Sequence, residues 1–352
     1  MRLLRLVKAL LVGLFVIAAP RALAGPKRAI VVVYDGWGAA NGFFVSGRVL
    51  EDDEAKVPQT DHHETQNLVE NLKALESDEI RGETVRVTVA GRVYASTTDA
   101  DGNFSVRVQG LTGNDTLPTG RLPVAAELVP SSRIKTAARG GGELVILQEG
   151  PFVAVISDID DTVVKTFVTD KRRLAATVLL KNATQLESVV GAAANYVAAQ
   201  HAGAAAIFYL SGSPQNLYRR LQHFLHAAGF PRGPLLLKNI GEDSLFVQNE
   251  YKHQRIESLL KMFPQMSVVL VGDSGEKDPE IYRAVRAAHP TRVRGIVIRH
   301  APGSDGTASR FVDCVLVHDA YATDDVVARL VRAQSVVPAA VTDGGTPEQA
   351  RD

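Results

Sequence analysis

The chain changes rhythm near residue 150. Before that point apolar and polar positions alternate, at Val31 and Val33, from Phe43 to Leu50, and at Val85, Val87 and Val89, while Asp101-Gly102 lies between Val93-Tyr94 and Phe104-Val106-Val108. A period of two marks strands with one buried face, and a turn dipeptide between two such runs marks a hairpin. Residues 25–150 are therefore expected to form a small β-sandwich. After that point solid apolar runs, Phe152 to Ile156, Ala205 to Leu210, Leu235 to Leu237 and Ser267 to Val271, alternate with helical spacings. Leu217, Leu221, Phe224, Leu225 and Ala228 stop at Gly229, and Ile256, Leu259, Leu260 and Phe263 stop at Pro264. One amphipathic stretch, with Leu186, Val189, Val190, Ala193, Tyr196 and Val197 on a single face, separates the first two strands and leaves no room for a large cap. This alternation predicts an α/β domain over residues 151–332, a doubly wound and mainly parallel sheet.

Polar chemistry sits where these strands stop. Ligands of open α/β sheets collect outside the carboxyl ends of strands, so Asp158 and Asp160, spaced i, i+2 after Ile156, can face one site. Asp158 suits attack on phosphorus and Asp160 suits protonation of a leaving oxygen; the plainer alternative is an acidic turn capping a helix. Ser211-Gly212-Ser213-Pro214 follows the second strand, and offers a hydroxyl, a close backbone approach and the start of a helix whose free N–H groups attract anions. Ser213 also fits a plain helix cap. Lys252 opens the helix that carries Ile256, and Lys238, at the end of Leu235 to Leu237, competes with it as the functional lysine. Asp273 and Asp278 follow Val271 in the string Gly272 to Pro279. Asp278 doubles as a cap for the helix opened by Pro279, whereas Asp273 leaves the sheet beside the proposed nucleophile, where a hard cation would serve.

An Asp-x-Asp pair, a Ser, a Lys and a late acidic pair, in that order, resemble the haloacid-dehalogenase-like phosphohydrolases over about residues 151–300. Within that superfamily Asp158-Ile-Asp-Asp-Thr162, Phe208-Tyr-Leu-Ser-Gly-Ser-Pro-Gln-Asn-Leu-Tyr218, Gly233-Pro-Leu-Leu-Leu237 and Gly272-Asp-Ser-Gly-Glu-Lys-Asp-Pro-Glu-Ile-Tyr282 resemble the actin-patch-associated phosphatidate phosphatase family. The resemblance implies a haloacid-dehalogenase-like sheet without a large cap. It makes Asp158 the nucleophile and a metal ligand, and Asp160 the acid and base, with its backbone carbonyl on the metal. Ser211 and Lys252 would hold the phosphoryl group, with Thr162 and Gly212 counted in the same phosphate-binding set. Asp273 would bind the metal, with Asp278 assisting or positioning Lys252. The implied cofactor is Mg2+, whose preference for a few oxygen ligands and waters suits this set. The implied reaction passes through an aspartyl-phosphate and converts phosphatidate to diacylglycerol and phosphate. Asp160 favours a phosphatase over the superfamily's dehalogenases, which lack the second Asp, and over its pump ATPases, which carry Thr there. Asp161 is left as a structural acid. An uncapped site suits a phosphorylated lipid or another phosphomonoester presented from a surface, with peripheral membrane contact. Separately, Thr98 to Phe104 resembles the transthyretin-like and carboxypeptidase-regulatory-like β-sandwiches.

Composition adds a compartment. The 352 residues are 45% hydrophobic and 22% charged, enough for two ordinary cores, with 39 basic and 39 acidic side chains. A formal net charge of zero argues against nucleic acid, and Lys171-Arg172-Arg173 is expected to be a solvated face that could meet an anionic headgroup. Arg2, Arg5 and Lys8 precede an apolar stretch from Ala9 to Ala19, and Ala22-Leu23-Ala24 fits a small-residue cleavage site. Residues 1–24 thus read as a secretory signal, which predicts a periplasmic or secreted protein. The single cysteine, Cys314, is expected to be a small buried apolar residue, His62-His63 a solvated loop, Gly140-Gly141-Gly142 a turn, and residues 333–352 a disordered tail. Alternatives on the same residues are a periplasmic phosphatase for other lipid phosphates or soluble phosphomonoesters, and an exported binding protein with an inert phosphatase fold.

Overall fold

The computed structural model describes residues 28–333 apart from 52–62, 65, 68–70, 72–78, 136, 168, 171–172, 174–176, 178–179, 240–247, 319 and 322–324. The expected signal segment, His62, Lys171-Arg172 and residues 334–352 of the expected tail lie outside the described residues. Among those described, no helix is long and apolar enough to cross a membrane.

The first seven strands are β1 (Ala29–Ala39), β2 (Gly42–Glu51), β3 (Thr84–Val89), β4 (Arg92–Thr97), β5 (Asn103–Gln109), β6 (Gly120–Leu128) and β7 (Ala138–Leu147). They form one sheet in the order β4-β3-β6-β7-β1-β2-β5, antiparallel except where β1 meets β7. Its two edge strands return to each other. Ser96 Oγ donates to the Ser105 carbonyl at 2.9 Å, and the Ser105 amide donates back to Ser96 Oγ at 3.3 Å. The sheet is thus curled into a nearly closed barrel around Phe43, Val45, Val87, Phe104, Leu128 and Leu144. This corrects the expected two-layer sandwich. Alternation reports one buried face per strand, which a curled sheet and a split sheet share, so the period alone does not separate them.

Two local expectations change with it. Asp101-Gly102 turns the chain from β4 into β5, with Gly102 at φ 73° and the Asp99 amide donating to the Asn103 carbonyl at 2.9 Å, but these strands are the two edges of the sheet and form no ladder; the laddered hairpin joins β3 to β4 through Ala90 and Gly91, both at positive φ (47° and 77°). Gly140 to Gly142 lie inside β7 rather than in a turn. A Cβ at Gly140 would strike the Val31 carbonyl, and one at Gly142 would run into the Val33 side chain, so the bare backbone lets β1 pass close by.

The remaining strands, β8 (Phe152–Ser157), β9 (Ala204–Pro214), β10 (Leu235–Lys238), β11 (Met266–Asp273), β12 (Val293–His300) and β13 (Val315–His318), pair in parallel in the order β10-β9-β8-β11-β12-β13. The helices are α1 (Ala192–His201), α2 (Tyr218–Ala227), α3 (Gln248–Met262), α4 (Asp278–Ala288) and α5 (Val326–Arg332). One face packs on Tyr196, Leu221, Phe224 and Val327 from α1, α2 and α5, the other on Leu259, Leu260, Ile281 and Tyr282 from α3 and α4. Every residue of β8 is buried, which is why this part of the sequence shows solid apolar runs instead of alternation. Helix α2 stops where Gly229 takes φ 77°. The amphipathic stretch is shorter than its pattern, since α1 begins only at Ala192 and Val190 is 62% exposed.

Chain order runs outward both ways from β8, so the ends of β8 and β11 form the switch point where such sheets bind ligands. The two sheets also share their cores. Tyr34 enters the α1-side cluster, and Val145 and Leu147, with Trp37 against them, enter the α3-side cluster.

Candidate active site

At the switch point the Asp158 amide donates to the Val271 carbonyl at 2.8 Å, which ties the end of β8 to β11 just before the Asp273 turn. Asp158, Asp273 and Asp278 are fully buried, and Lys252, from the second turn of α3, is buried among them. Its Nζ lies 2.6 Å from Asp158 Oδ1, 2.6 Å from Asp278 Oδ1 and 3.0 Å from Glu276 Oε2. The Asp273 amide donates to Asp278 Oδ2 at 3.3 Å and the Gly275 amide to Asp273 Oδ1 at 2.5 Å, so the turn holds its own acids. Gly272 is needed for this fold-back, because a Cβ there would strike the Asp278 carboxylate. Asp278 opens α4 but does not act as its cap; its side chain goes to Lys252.

The Asp160 carboxylate is engaged one step outward. Its Oδ2 accepts from Ser211 Oγ at 2.8 Å and Ser213 Oγ at 3.2 Å, and the Ser213 amide donates to Ser211 Oγ at 2.9 Å. Ser213 therefore binds the acid instead of capping a helix, and Pro214 leads into a 3-10 turn, Gln215–Leu217, ahead of α2. Gly212 lies between Ser211 and Ser213, partly exposed, so the expected small-residue turn is the last part of β9. Asp161 bends the loop at φ 54°, while its Oδ1 accepts from the Thr166 and Phe167 amides at 3.0 and 2.9 Å, the structural part expected of it. Arg299 Nη1 donates to the Asp161 carbonyl at 2.6 Å. Thr162 is fully buried, and its Oγ1 has no hydrogen-bond partner among the described residues. Lys238, the competing lysine, ends β10 with its Nζ 6.0 Å from the Tyr251 ring. The carboxylate cluster is built on Lys252. Sequence reasoning missed Glu276 and the Ser213 contact. The string Gly272 to Pro279 contained the signal for Glu276, an acid two residues from Asp278.

Electrostatics mark the cluster as unusual. Burial pushes Asp158 well above the usual carboxylate range; Lys252 pulls it back, and Asp278, Glu276 and Asp273 add to the rise. Burial, then the Asp278 charge, lifts Asp273 well above that range, and burial also lifts Asp278 against the pull of Lys252. Burial alone would lower the Lys252 amine, but Asp158, Asp278 and Glu276 outweigh it and hold the ammonium form. Asp160 is raised to about 6 by burial and the Glu276 charge, against the Ser211 hydrogen bond. Perturbations of this kind, in groups gathered at a strand switch point, are what acid–base and nucleophilic sites require.

The residues fit a cation. Asp158, Asp273 and Asp278 each bring a carboxylate oxygen within 4.8 Å of the others. Asp158 Oδ2 and Asp273 Oδ2 are buried with no hydrogen-bond partner among the described residues, which is costly for a carboxylate unless an ion takes that place. Among the described residues, four carboxylates, Asp158, Asp273, Glu276 and Asp278, stand against the Lys252 ammonium. An all-oxygen set suits a hard divalent ion. The Asp160 carboxylate is not in this group.

Residues 153–300 match the family described as the catalytic domain of the phosphatidate phosphatase APP1. This stretch is similar to the APP1 catalytic domain. Phosphatidate phosphatase APP1 of Saccharomyces cerevisiae is 29% identical over 235 residues, 64% of this chain and 36% of the yeast protein. An uncharacterized protein of Schizosaccharomyces pombe is 29% identical over 158 residues, 42% of this chain and 25% of that one. The chain thus spans about a third of the length of the yeast relative. A solved Pnkp1/Rnl/Hen1 complex overlaps 50% of this chain and 49% of its own at 16% identity, with a TM-score of 0.31, too low to argue from. The APP1 catalytic-domain match takes in Asp158, Asp160, Ser211, Lys252, Asp273 and Asp278.

Proposed function

We propose that the chain is a magnesium-dependent phosphoric monoester hydrolase of the haloacid-dehalogenase-like fold, hydrolysing phosphatidate to diacylglycerol and phosphate through an aspartyl-phosphate. The observation that carries this reading is the pairing of a buried Asp158, in contact with the Lys252 ammonium, with an Asp160 two residues on that is raised to about 6 and accepts from Ser211. Two carboxylates driven to different tasks by different surroundings are the pattern of a nucleophile and an acid.

In the first step an Asp158 oxygen bonds to phosphorus in line with the ester, the phosphorus–oxygen bond to the leaving group breaks, and Asp160 gives that oxygen its proton. In the second step Asp160, now ionised, takes a proton from water as its oxygen bonds to phosphorus, and the Asp158–phosphorus bond breaks to release phosphate. Lys252 offsets the charge spread over the phosphoryl oxygens, and the Ser211 to Ser213 turn holds them. Asp158, Asp273 and Asp278 would hold Mg2+, with Asp160 contributing its backbone carbonyl. The bound ion supplies countercharge that keeps Asp158 ionised and screens the incoming phosphate.

Support for the lipid substrate comes from the APP1 catalytic-domain family, and export from the segment before residue 25 belongs to the same proposal. The test is phosphate release by Gly25 to Asp352 from phosphatidate in mixed micelles and from soluble phosphomonoesters, with magnesium and with chelator. Chelator-sensitive release from the lipid is expected. Release from soluble esters alone would remove the lipid assignment, and no release from any ester would leave a binding protein with an inert fold.

A further inference from the structure

The N-terminal barrel meets the catalytic sheet along the segment that follows the phosphate turn. Trp37 packs edge-on against Phe208, three residues before Ser211, with ring centroids 6.4 Å apart. Tyr34 packs on Tyr218 at 4.5 Å, and the Asp35 amide donates to the Tyr218 hydroxyl at 2.8 Å. Gln222 Nε2 donates to that hydroxyl at 3.1 Å and to Asp35 Oδ2 at 3.3 Å. Arg48 is 7% exposed and spans the junction: Nη1 donates to Asn216 Oδ1 at 3.1 Å, Nη2 to Glu79 Oε1 at 2.7 Å and Nε to the Asp101 carbonyl at 2.8 Å. Asn216 lies in the 3-10 turn directly after Ser213 and Pro214, and Tyr218 opens α2. Ser211 and Ser213 thus sit at the carboxyl end of β9, with Phe208 before them and Asn216 and Tyr218 after them, all three held from the barrel.

We infer that the barrel is a positioning element for the phosphate turn, with Arg48 acting through Asn216 and the Asp35 amide through Tyr218 to fix where Ser211 and Ser213 meet Asp160 and the phosphoryl group. This rests on the assignment of Ser211 to Ser213 as the phosphoryl-holding turn. None of the contacts at Asn216 or Tyr218 touches the reacting atoms, so these are positioning residues. Ser211 to Pro214 are the last four residues of β9, and the barrel contacts hold the segment that directly follows them. Displacing a positioned group by about 1 Å is enough to cost on the order of a hundredfold in rate.

The test uses the full chain from Gly25 with Asn216→Ala and Tyr218→Phe, each of which removes the catalytic side of one contact and leaves Arg48 its bonds to Glu79 and Asp101. Three quantities are compared with the unsubstituted chain: the melting temperature, kcat and KM on a soluble aryl phosphate, and the affinity for inorganic phosphate by calorimetry with magnesium present. The expected result is phosphate affinity and kcat/KM lowered about tenfold or more in both variants, with the melting temperature within roughly 2–4 °C of the parent. Arg48→Lys is expected to keep part of the affinity that Arg48→Ala loses. Unchanged phosphate affinity in both variants would overturn the inference, as would losses matched by an equal fall in melting temperature. A parent chain without turnover counts against the phosphatase assignment, and the phosphate affinities then decide this inference; a parent that binds no phosphate overturns it.

Discussion

Lys252→Met removes the ammonium that contacts Asp158, Asp278 and Glu276 while keeping most of the side-chain volume. At 2.6 Å each contact with Asp158 and Asp278 has a gross Coulomb energy of about 6 kcal/mol at an effective dielectric of about 20. Much of that is offset by the cost of taking the charges out of water, and removing one partner of a buried ion pair leaves a net loss of about 3–5 kcal/mol. For a domain of this size that is a fall in melting temperature of roughly 6–20 °C. The sign with pH follows from the carboxylates. Asp158 and Asp278 already hold protons more tightly in the folded chain than unfolded, and loss of Lys252 strengthens this. The folded variant therefore gains protons as pH falls, and its deficit is largest at neutral pH and shrinks toward the ordinary carboxylate range. Differential scanning calorimetry of both chains at pH 7 and pH 5, with phosphate release alongside, reads all of this. A double-mutant cycle with Asp158→Asn should show strong coupling, since the second change removes a charge that the first left unpaired. Equal melting temperatures at neutral pH, or strictly additive losses, would refute the cluster's electrostatic account.

Other outcomes follow from single contacts. Gly272→Ala should cost about 1–3 kcal/mol and lower magnesium affinity, because the new methyl strikes the Asp278 carboxylate; a variant that titrates magnesium like the parent would count against the fold-back. Asp35, raised from its ordinary value chiefly by burial, bears an unfavourable charge at neutral pH that protonation relieves as pH falls. Asp35→Asn should therefore melt at or above the parent at pH 7, with the gap closing at pH 4, and a gap that widens on acidification would contradict that sign. Magnesium should raise the melting temperature of the parent at pH 7 by binding the folded state alone, and Asp273→Asn should lose most of that rise. An equal rise in the variant would place the ion elsewhere.

The catalytic half was largely legible because it rests on local signals. Solid apolar runs gave the buried parallel strands, and Asp158, Ser211 and Asp273 stood at strand ends while Lys252 and Asp278 stood at helix starts. Asp158, Lys252, Asp273 and Asp278 were named from strand ends, helix starts and order along the chain, and the fold brings these four together. Glu276 and Ser213 were missed because nothing local says whether an acid or a hydroxyl in a turn faces water or a neighbour 24 or 53 residues away. The barrel was legible only as strands. Its closure depends on Ser96 meeting Ser105 from opposite edges, and its glycine run only makes sense against Val31 and Val33, contacts that no spacing encodes.

The most direct test of the central claim is acid quenching of the chain during turnover of phosphate-labelled substrate, followed by counting label on the protein. Label released by hydroxylamine and mapped to Asp158, absent in Asp158→Asn, is the predicted result. Full turnover with no label on the parent, or label that persists in Asp158→Asn, would contradict Asp158 as the nucleophile.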